Sequence, residues 1–290
     1  MTEGECWARL SKLEAILEVQ AQNQVAIFNQ LRTIGTYLAE AELTDVRREY
    51  ESRYKTEQTR FKVYSQSDED GLIQWIAGKL GIENGYFCEI GVEDGLECNS
   101  RLLLQIGWSG RWIEANSERL TTAHSLWRQY LDKGVLEIQE RFVTPDNVSD
   151  ILPSDLTNSL DVLSIDIDGN DLWVWQNLVG SPKVVVVEYN AKFPPPISVV
   201  QPCEADYVWQ KDDFFGASLA ALDKLGCEKG YKLVACSSAG TNAFFVRNEF
   251  GHLFPELPLT ALYRPNRYDL CYNPYHNRGH APSPKVYELF

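Results

Sequence analysis

The chain has 290 residues, 44% of them hydrophobic and 23% charged, a globular composition that excludes wholesale disorder and a collagen-like chain and suffices for one large domain or two ordinary ones. Against 27 Lys and Arg stand 41 Asp and Glu, a formal net charge of −14, so the surface as a whole repels nucleic-acid phosphates and anionic lipid headgroups. No stretch approaches the roughly 18 uncharged apolar residues of a membrane span, and Glu3, Glu5 and Arg9 stand where a signal peptide would be apolar. The expectation is a cytoplasmic protein with no nucleic acid and no membrane among its partners.

Residues 1–60 contain no Pro, few Gly and many helix formers, whereas Gly, Pro and aromatic residues become frequent afterwards, which marks a domain boundary. Leu10, Leu13, Leu17, Gln20, Gln24, Ile27, Leu31, Ile34 and Leu38 are spaced alternately by three and four residues, the heptad signature of a coiled coil. Leu at one core position and Leu or Ile at the other favour a homo-oligomer of three or four strands over a dimer, with Gln20 and Gln24 setting register. The competing reading is a helix folded back on its own domain, and Gly35 weakens both.

From residue 61 to about 250, strand-like runs alternate with helical stretches, the pattern of an α/β domain with a mainly parallel sheet. Strands are expected at Gly85–Ile90, Ser109–Glu114, Val135–Gln139, Val162–Asp166, Val184–Glu188, Tyr231–Cys236 and Ala243–Arg247. Helices are expected at Gln66–Leu80, Glu97–Gln105, Glu118–Lys133, Asp171–Leu178 and Ala217–Lys229. The short link between the last two strands makes them a hairpin, so the final strand runs antiparallel. Five parallel strands, a helix and a terminal hairpin are the layout of a Rossmann-like methyltransferase sheet. The tail, 251–290, is expected to pack on the domain as irregular structure. The seven cysteines are scattered without a C-x-x-C pair, so neither a zinc ribbon nor a disulfide framework is indicated, and Cys88, Cys227 and Cys236 read as small buried hydrophobes.

Four strand ends carry chemistry. Phe87–Ile90 runs into Gly91-Val92-Glu93-Asp94-Gly95, a tight turn whose two glycines let the backbone approach a ligand. It lacks the third glycine of the dinucleotide fingerprint, which with the antiparallel last strand disfavours a nicotinamide dehydrogenase, and its acids suit a ligand with positive charge such as S-adenosylmethionine. Glu114 ends the next strand 23 residues after Gly91, the place from which an acid accepts hydrogen bonds from ribose hydroxyls; a capping or surface acid is the plainer reading. Asp166 and Asp168 lie at the carboxyl end of the fourth strand, and Glu188 and Asn190 at that of the fifth. Oxygen ligands from adjacent strand ends suit Mg²⁺ or another divalent cation, which would lower the pKa of a substrate hydroxyl. Alternatively Asp166 meets the cofactor, Asp168 and Asp171 cap the following helix, and no metal binds.

Tyr64–Gly71, Glu89-Ile90-Gly91 with Asp94-Gly95 and Asn99-Ser100, Gly107–Gly110 before Ile113-Glu114, Ser164–Asp171, Val187–Asn190, Gly216–Leu219 and Asn242–Val246 resemble the FkbM-like branch of S-adenosylmethionine-dependent methyltransferases over about residues 62–247. The resemblance implies the class I methyltransferase fold. It puts Glu89, Gly91 and Gly95 at the methionine end of the cofactor and Glu114 at the ribose, with Gln66 and Asp70 helping to close that pocket. The two acidic strand ends also look like those of metal-dependent catechol-type O-methyltransferases, which carries over Asp166 or Asp168 and Asn190. Two departures are Glu93, where the family has an uncharged residue, and Ser164, where it has Lys.

Methyl transfer needs in-line positioning and removal of one proton. Asp166 and His276 are the catalytic candidates; His276 and His280 lie in a polar loop, though Pro274 and Gly279 oppose the helix that would make them a metal face. Trp173, Trp175, Tyr189 and Phe193 could stack on a sugar or polyketide ring, or be core. The expected function is O-methylation of a hydroxyl on a sugar, glycan or polyhydroxylated small molecule; the alternative is a silent ligand-binding or scaffold subunit assembled through the coiled coil.

Overall fold

The computed structural model describes residues 17–27, 30, 41, 44–45, 48, 59–267 and 280–290. The chain divides into two compact units, Met1–Val46 and Arg47–Phe290. In the first, residues 17–27 are helical and exposed throughout, the heptad residues Leu17, Gln20, Gln24 and Ile27 included. Leu10, Leu13, Leu31, Ile34 and Leu38 lie outside the described residues.

The second unit begins with α1 (Glu69–Leu80), whose first turn carries Glu69 and Asp70, whose last turn carries Lys79, and which stops at Gly81 in the left-handed region. It starts three residues later than expected. The Asp70 carboxylate accepts the N–H groups of Val63 (2.7 Å), Tyr64 (2.7 Å) and Ser65 (2.9 Å) and the Ser65 hydroxyl, which folds the preceding chain into turns instead of helix. Next come β1 (Tyr86–Ile90), α2 (Arg101–Gln105), β2 (Ser109–Glu114), α3 (Ser117–Leu126), α4 (Arg128–Asp132) and β3 (Leu136–Glu140). The single helix expected over 118–133 breaks at Trp127, whose indole N–H donates to Asp94 O at 2.9 Å and whose ring meets Trp112 edge-on at 5.1 Å. Asn116 caps α3, its Oδ1 accepting from Glu118 N and Arg119 N.

There follow α5 (Val148–Ile151), α6 (Ser154–Ser159), β4 (Val162–Ile165), α7 (Asp171–Asn177), β5 (Val184–Glu188), β6 (Val199–Val200), α8 (Leu219–Glu228), β7 (Tyr231–Cys236) and β8 (Asn242–Arg247). A 3₁₀ turn (Asn248–Leu253), α9 (Leu259–Leu262) and β9 (Glu288–Leu289) complete the unit. The tail is thus not wholly irregular: β9 pairs antiparallel with β6, an arrangement of two-residue strands that leaves no periodic trace in sequence.

The main sheet has the order β3-β2-β1-β4-β5-β8-β7. β1 to β5 run parallel, and β8 lies antiparallel between β5 and β7, so this is the mainly parallel, Rossmann-like sheet the sequence predicts. Alternation divides each strand between two cores. Cys88, Ile90, Leu163, Ile165, Val185 and Val187 face α7 and α8 through Leu172, Trp175, Leu222 and Leu225. Phe87, Trp112, Val162, Val184 and Val186 face α1 and α2 through Leu72, Ile76, Leu103 and Leu104. Cys88, Cys98 and Cys236 are buried free thiols, but Cys227 is exposed, since it falls on the outer side of α8. Among the described residues no helix is long and apolar enough to cross a membrane.

Candidate active site at the carboxyl edge of the sheet

The register aligns Ile90 with both Ile113 and Ile165, and Ile165 with Val187, so β1, β2, β4 and β5 end level along one edge. The strand order reverses between β1 and β4, the crevice in which open α/β sheets bind ligands.

Gly91 turns the chain out of β1 with φ of +85°, and a Cβ there would lie 1.7 Å from the Asp166 carbonyl oxygen. Gly95, at φ +75°, would drive a Cβ to 2.5 Å from the Trp112 ring. The close approach that each glycine permits is to the protein's own atoms. Glu89 is buried beneath this turn: one oxygen accepts Asn99 N at 2.9 Å, the other Ser100 N at 2.9 Å and the Ser100 hydroxyl. Burial pushes its pKa up, against those hydrogen bonds. Glu114 accepts Glu93 N at 2.8 Å through one oxygen and Ala115 N (2.9 Å) and Asn116 N (2.8 Å) through the other. Three amides on about four acceptor positions leave it one open. Glu93 holds a positive φ of 57°, with its exposed side chain paired to Arg119.

The turn after β4 is drawn together by Asp171, which accepts Ile167 N at 2.9 Å and Gly169 N at 2.8 Å; Asp168 sits within it at φ +55°. Asp166, Asp168 and Glu188 converge, each offering an oxygen within 4.8 Å of the others. None of the three forms an ion pair among the described residues, and one Glu188 oxygen is buried without any hydrogen bond. Burial, then the charges of Asp168 and Asp171, pushes Asp166 well above the carboxylate range. Glu188 rises likewise, by burial and then by Asp166, Asp168 and Asp171. The Asp168 side chain is exposed, while the protein atoms around its carboxylate partly desolvate it. Burial there, then Asp171 and Glu93, carries it to about 7 against the pull of Arg119. Burial carries Asp171 to about 6.

Asn190 does not join this cluster. Its Nδ2 donates to Asp213 O (3.1 Å), Phe215 O (3.0 Å) and the Tyr287 hydroxyl (2.9 Å), and its Oδ1 accepts Lys192 N, so it ties the chain after β5 to the tail. This residue, expected from sequence as a metal ligand, is turned into the interior, 1% exposed, with both ends of its amide engaged by protein atoms. Asp70 organises residues 63–65 as described, and Gln66 is exposed beside them, its carbonyl accepting from Lys62. His276 lies outside the described residues. His280 packs edge-on against Trp209 at 4.8 Å, and His252 shares a hydrogen bond with Glu249 O. Trp175 and Tyr189 are core, each fully buried. Trp173 donates to Gln201 O, and Phe193 packs on Tyr287 at 4.7 Å.

Sequence reading missed a second polar layer behind the carboxylates. Glu69 is buried and accepts Ser67 N (2.6 Å), the Thr241 hydroxyl (3.0 Å) and Asn242 Nδ2 (3.4 Å). Burial, then the charge of Asp68, pushes it up. Three successive acids, Asp68, Glu69 and Asp70, at the head of an apolar helix were the available signal, since one short turn cannot solvate all three.

Two solved structures show partial similarity to this chain. One is a magnesium protoporphyrin IX methyltransferase from Synechocystis PCC 6803 with bound S-adenosylmethionine: 12% identity, 63% of this chain and 79% of that one covered, TM-score 0.42. The other is an S-adenosylmethionine-dependent methyltransferase from Clostridium acetobutylicum: 9% identity, 70% and 98% covered, TM-score 0.41. No protein-family model and no curated protein matches the sequence.

Proposed function

We propose that the chain is an S-adenosylmethionine-dependent O-methyltransferase of the FkbM-like branch, acting on a hydroxyl of a sugar, glycan or other polyhydroxylated small molecule. The observation that carries this reading is the trio Asp166, Asp168 and Glu188 at the carboxyl edge of a Rossmann-like sheet, with no ion pair among the described residues to balance it. Such a cluster is stable only when protonated or when a ligand brings positive charge. When bound, S-adenosylmethionine supplies an electrophilic methyl group on a cationic sulfonium. Asp166 and Asp168 offset that charge, Glu114 offers its remaining acceptor position to the ribose, and the Gly91–Gly95 turn walls the pocket. Proton removal from the acceptor hydroxyl falls to Asp166, whose proton affinity burial has raised, or to His276.

The donor set also fits a hard divalent cation. Asp166, Asp168 and the unbonded oxygen of Glu188 would hold it, without Asn190. When bound, Mg²⁺ would supply Lewis acidity toward a substrate hydroxyl. The N-terminal heptads would assemble the enzyme as a trimer or tetramer.

A second reading, a silent ligand-binding or scaffold subunit, draws support from Glu89 and Glu114, both engaged by the protein's own amides. Calorimetry of S-adenosylmethionine and its demethylated product, with and without Mg²⁺, tests both. Binding near about 1 μM, corresponding to about −8 kcal/mol, that weakens in Asp166→Ala supports the enzyme. No binding in either condition overturns it in favour of the scaffold.

A further inference from the structure

Arg60 stands nine residues before α1, yet its guanidinium is buried at the carboxyl edge of the sheet, 2% exposed. Its Nη1 donates to Asp68 Oδ2 at 2.9 Å, to Cys236 O at 3.1 Å and to the Ser238 hydroxyl at 3.2 Å. Asp68 Oδ1 in turn accepts Ser238 N at 2.7 Å. Burial pushes the Asp68 carboxyl up, but the Arg60 charge and the Ser238 hydrogen bonds outweigh it and hold that group below its ordinary value. The strap carrying Arg60 is seated on α1: Gly71 N donates to Phe61 O at 3.0 Å, and a Cβ at Gly71 would lie 2.3 Å from Phe61 N.

From Ser238 the network runs toward the ligand edge. The Ser237 hydroxyl accepts Thr241 N (3.1 Å) and Asn242 N (2.9 Å), which closes the β7–β8 turn. The Thr241 carbonyl accepts Tyr189 N at 2.8 Å, and the Thr241 hydroxyl reaches Glu69. Asn242 is the cross-strand partner of Glu188, so the two side chains share a face. The turn that Arg60 grips therefore sets where β5 ends.

We infer that Arg60 is a positioning residue for the ligand edge: by fixing Ser238 and the β7–β8 turn it determines how the end of β5 presents Glu188. A guanidinium whose three acceptors join two segments, Asp68 ahead of α1 and Cys236 with Ser238 at the end of β7, fixes their mutual geometry more closely than apolar packing would. The ligand half of the test rests on the methyl-transfer reading; the structural half does not.

The variants are Arg60→Met, the same change combined with Asp68→Asn so that no lone charge stays buried, and Arg60→Lys. Leu104→Ala, in the core beneath α2, serves as a destabilised control. Amide hydrogen exchange and S-adenosylmethionine calorimetry are run on each full-length protein. In the Arg60→Met/Asp68→Asn protein, exchange at Tyr189 and at residues 241–243 accelerates at least about tenfold beyond any change in β1 and β2, and the cofactor dissociation constant rises about tenfold. Arg60→Lys restores both to within about threefold, whereas Leu104→Ala moves all amides alike and leaves affinity unchanged. Unchanged protection at Tyr189 and 241–243 in the folded double variant overturns the inference, as does an equal, selective effect from Leu104→Ala. Should the wild-type protein bind no S-adenosylmethionine, the methyl-transfer reading fails while exchange still decides the role of Arg60.

Discussion

Replacing Gly91 by Ala tests the geometry on which the whole edge rests. The backbone at Gly91 has φ of +85°, and the added methyl would sit 1.7 Å from the Asp166 carbonyl oxygen. An L-residue in that region costs about 1–2 kcal/mol, and a clash with main chain that no rotamer relieves adds about 1–3 kcal/mol. Gly134→Ala is the matched control: its φ is +67°, and the added Cβ meets nothing within 4 Å, so only the conformational cost of about 1–2 kcal/mol applies. Urea unfolding of the two variants, with slopes compared to detect any change in the unfolded state, separates steric from torsional cost. Because the clash lies at the start of the Asp166–Asp171 turn, Gly91→Ala also weakens whatever ligand the edge binds, while Gly134→Ala does not. Equal destabilisation of the two proteins would refute the claim that β1 and β4 meet this closely.

Other outcomes follow from the same structure. Gly78 is an exposed position in α1 whose added Cβ meets nothing within 4 Å; Gly78→Ala stabilises by about 0.5–1 kcal/mol in urea unfolding. Asp168 is raised from 3.8 to about 7, so between those values the folded state binds more protons than the unfolded one, and the contribution of this group to stability falls as pH rises. Thermal melts of Asp168→Asn should therefore decline less than wild type from pH 5 to 8, and a parallel decline would refute this. Asn190→Ala removes the Nδ2 donor from Asp213 O, Phe215 O and the Tyr287 hydroxyl, while the Tyr287 hydroxyl still donates to both carbonyls, and costs about 1–3 kcal/mol. If Mg²⁺ raises the melting temperature of wild type, Asn190→Ala retains that increment and Asp168→Asn loses it.

The strands at 86–90, 162–165 and 184–188 were legible because they are buried on both faces and so appear as short apolar runs bounded by turn residues. Val135–Gln139 shifted by one residue to Leu136–Glu140, an edge strand where fewer side chains are buried. Gly91, Gly95, Asp166, Asp168 and Glu188 were legible because they stand directly at strand ends. The direction in which Glu89 and Glu114 point was not: Glu89 finds Asn99 N and Ser100 N across the loop that follows it, and Glu114 takes Glu93 N from the turn after β1 as well as Ala115 N and Asn116 N, contacts made only once the chain has folded.

By itself the sequence determined the α/β alternation, the parallel strands with a closing hairpin, and the gathering of acids at the carboxyl edge. All of these follow from burial period and turn chemistry within a few residues. Tertiary structure alone decided which acids converge and which are engaged elsewhere. Glu188 meets Asp166 because β4 and β5 pair in register, Asn190 leaves the edge for Tyr287, 97 positions away, and Arg60 enters it through Ser238, 178 positions away. Hydrogen bonds across such separations carry no periodicity, and a polar side chain that is fully bonded in the interior has the same letter as one that faces a ligand.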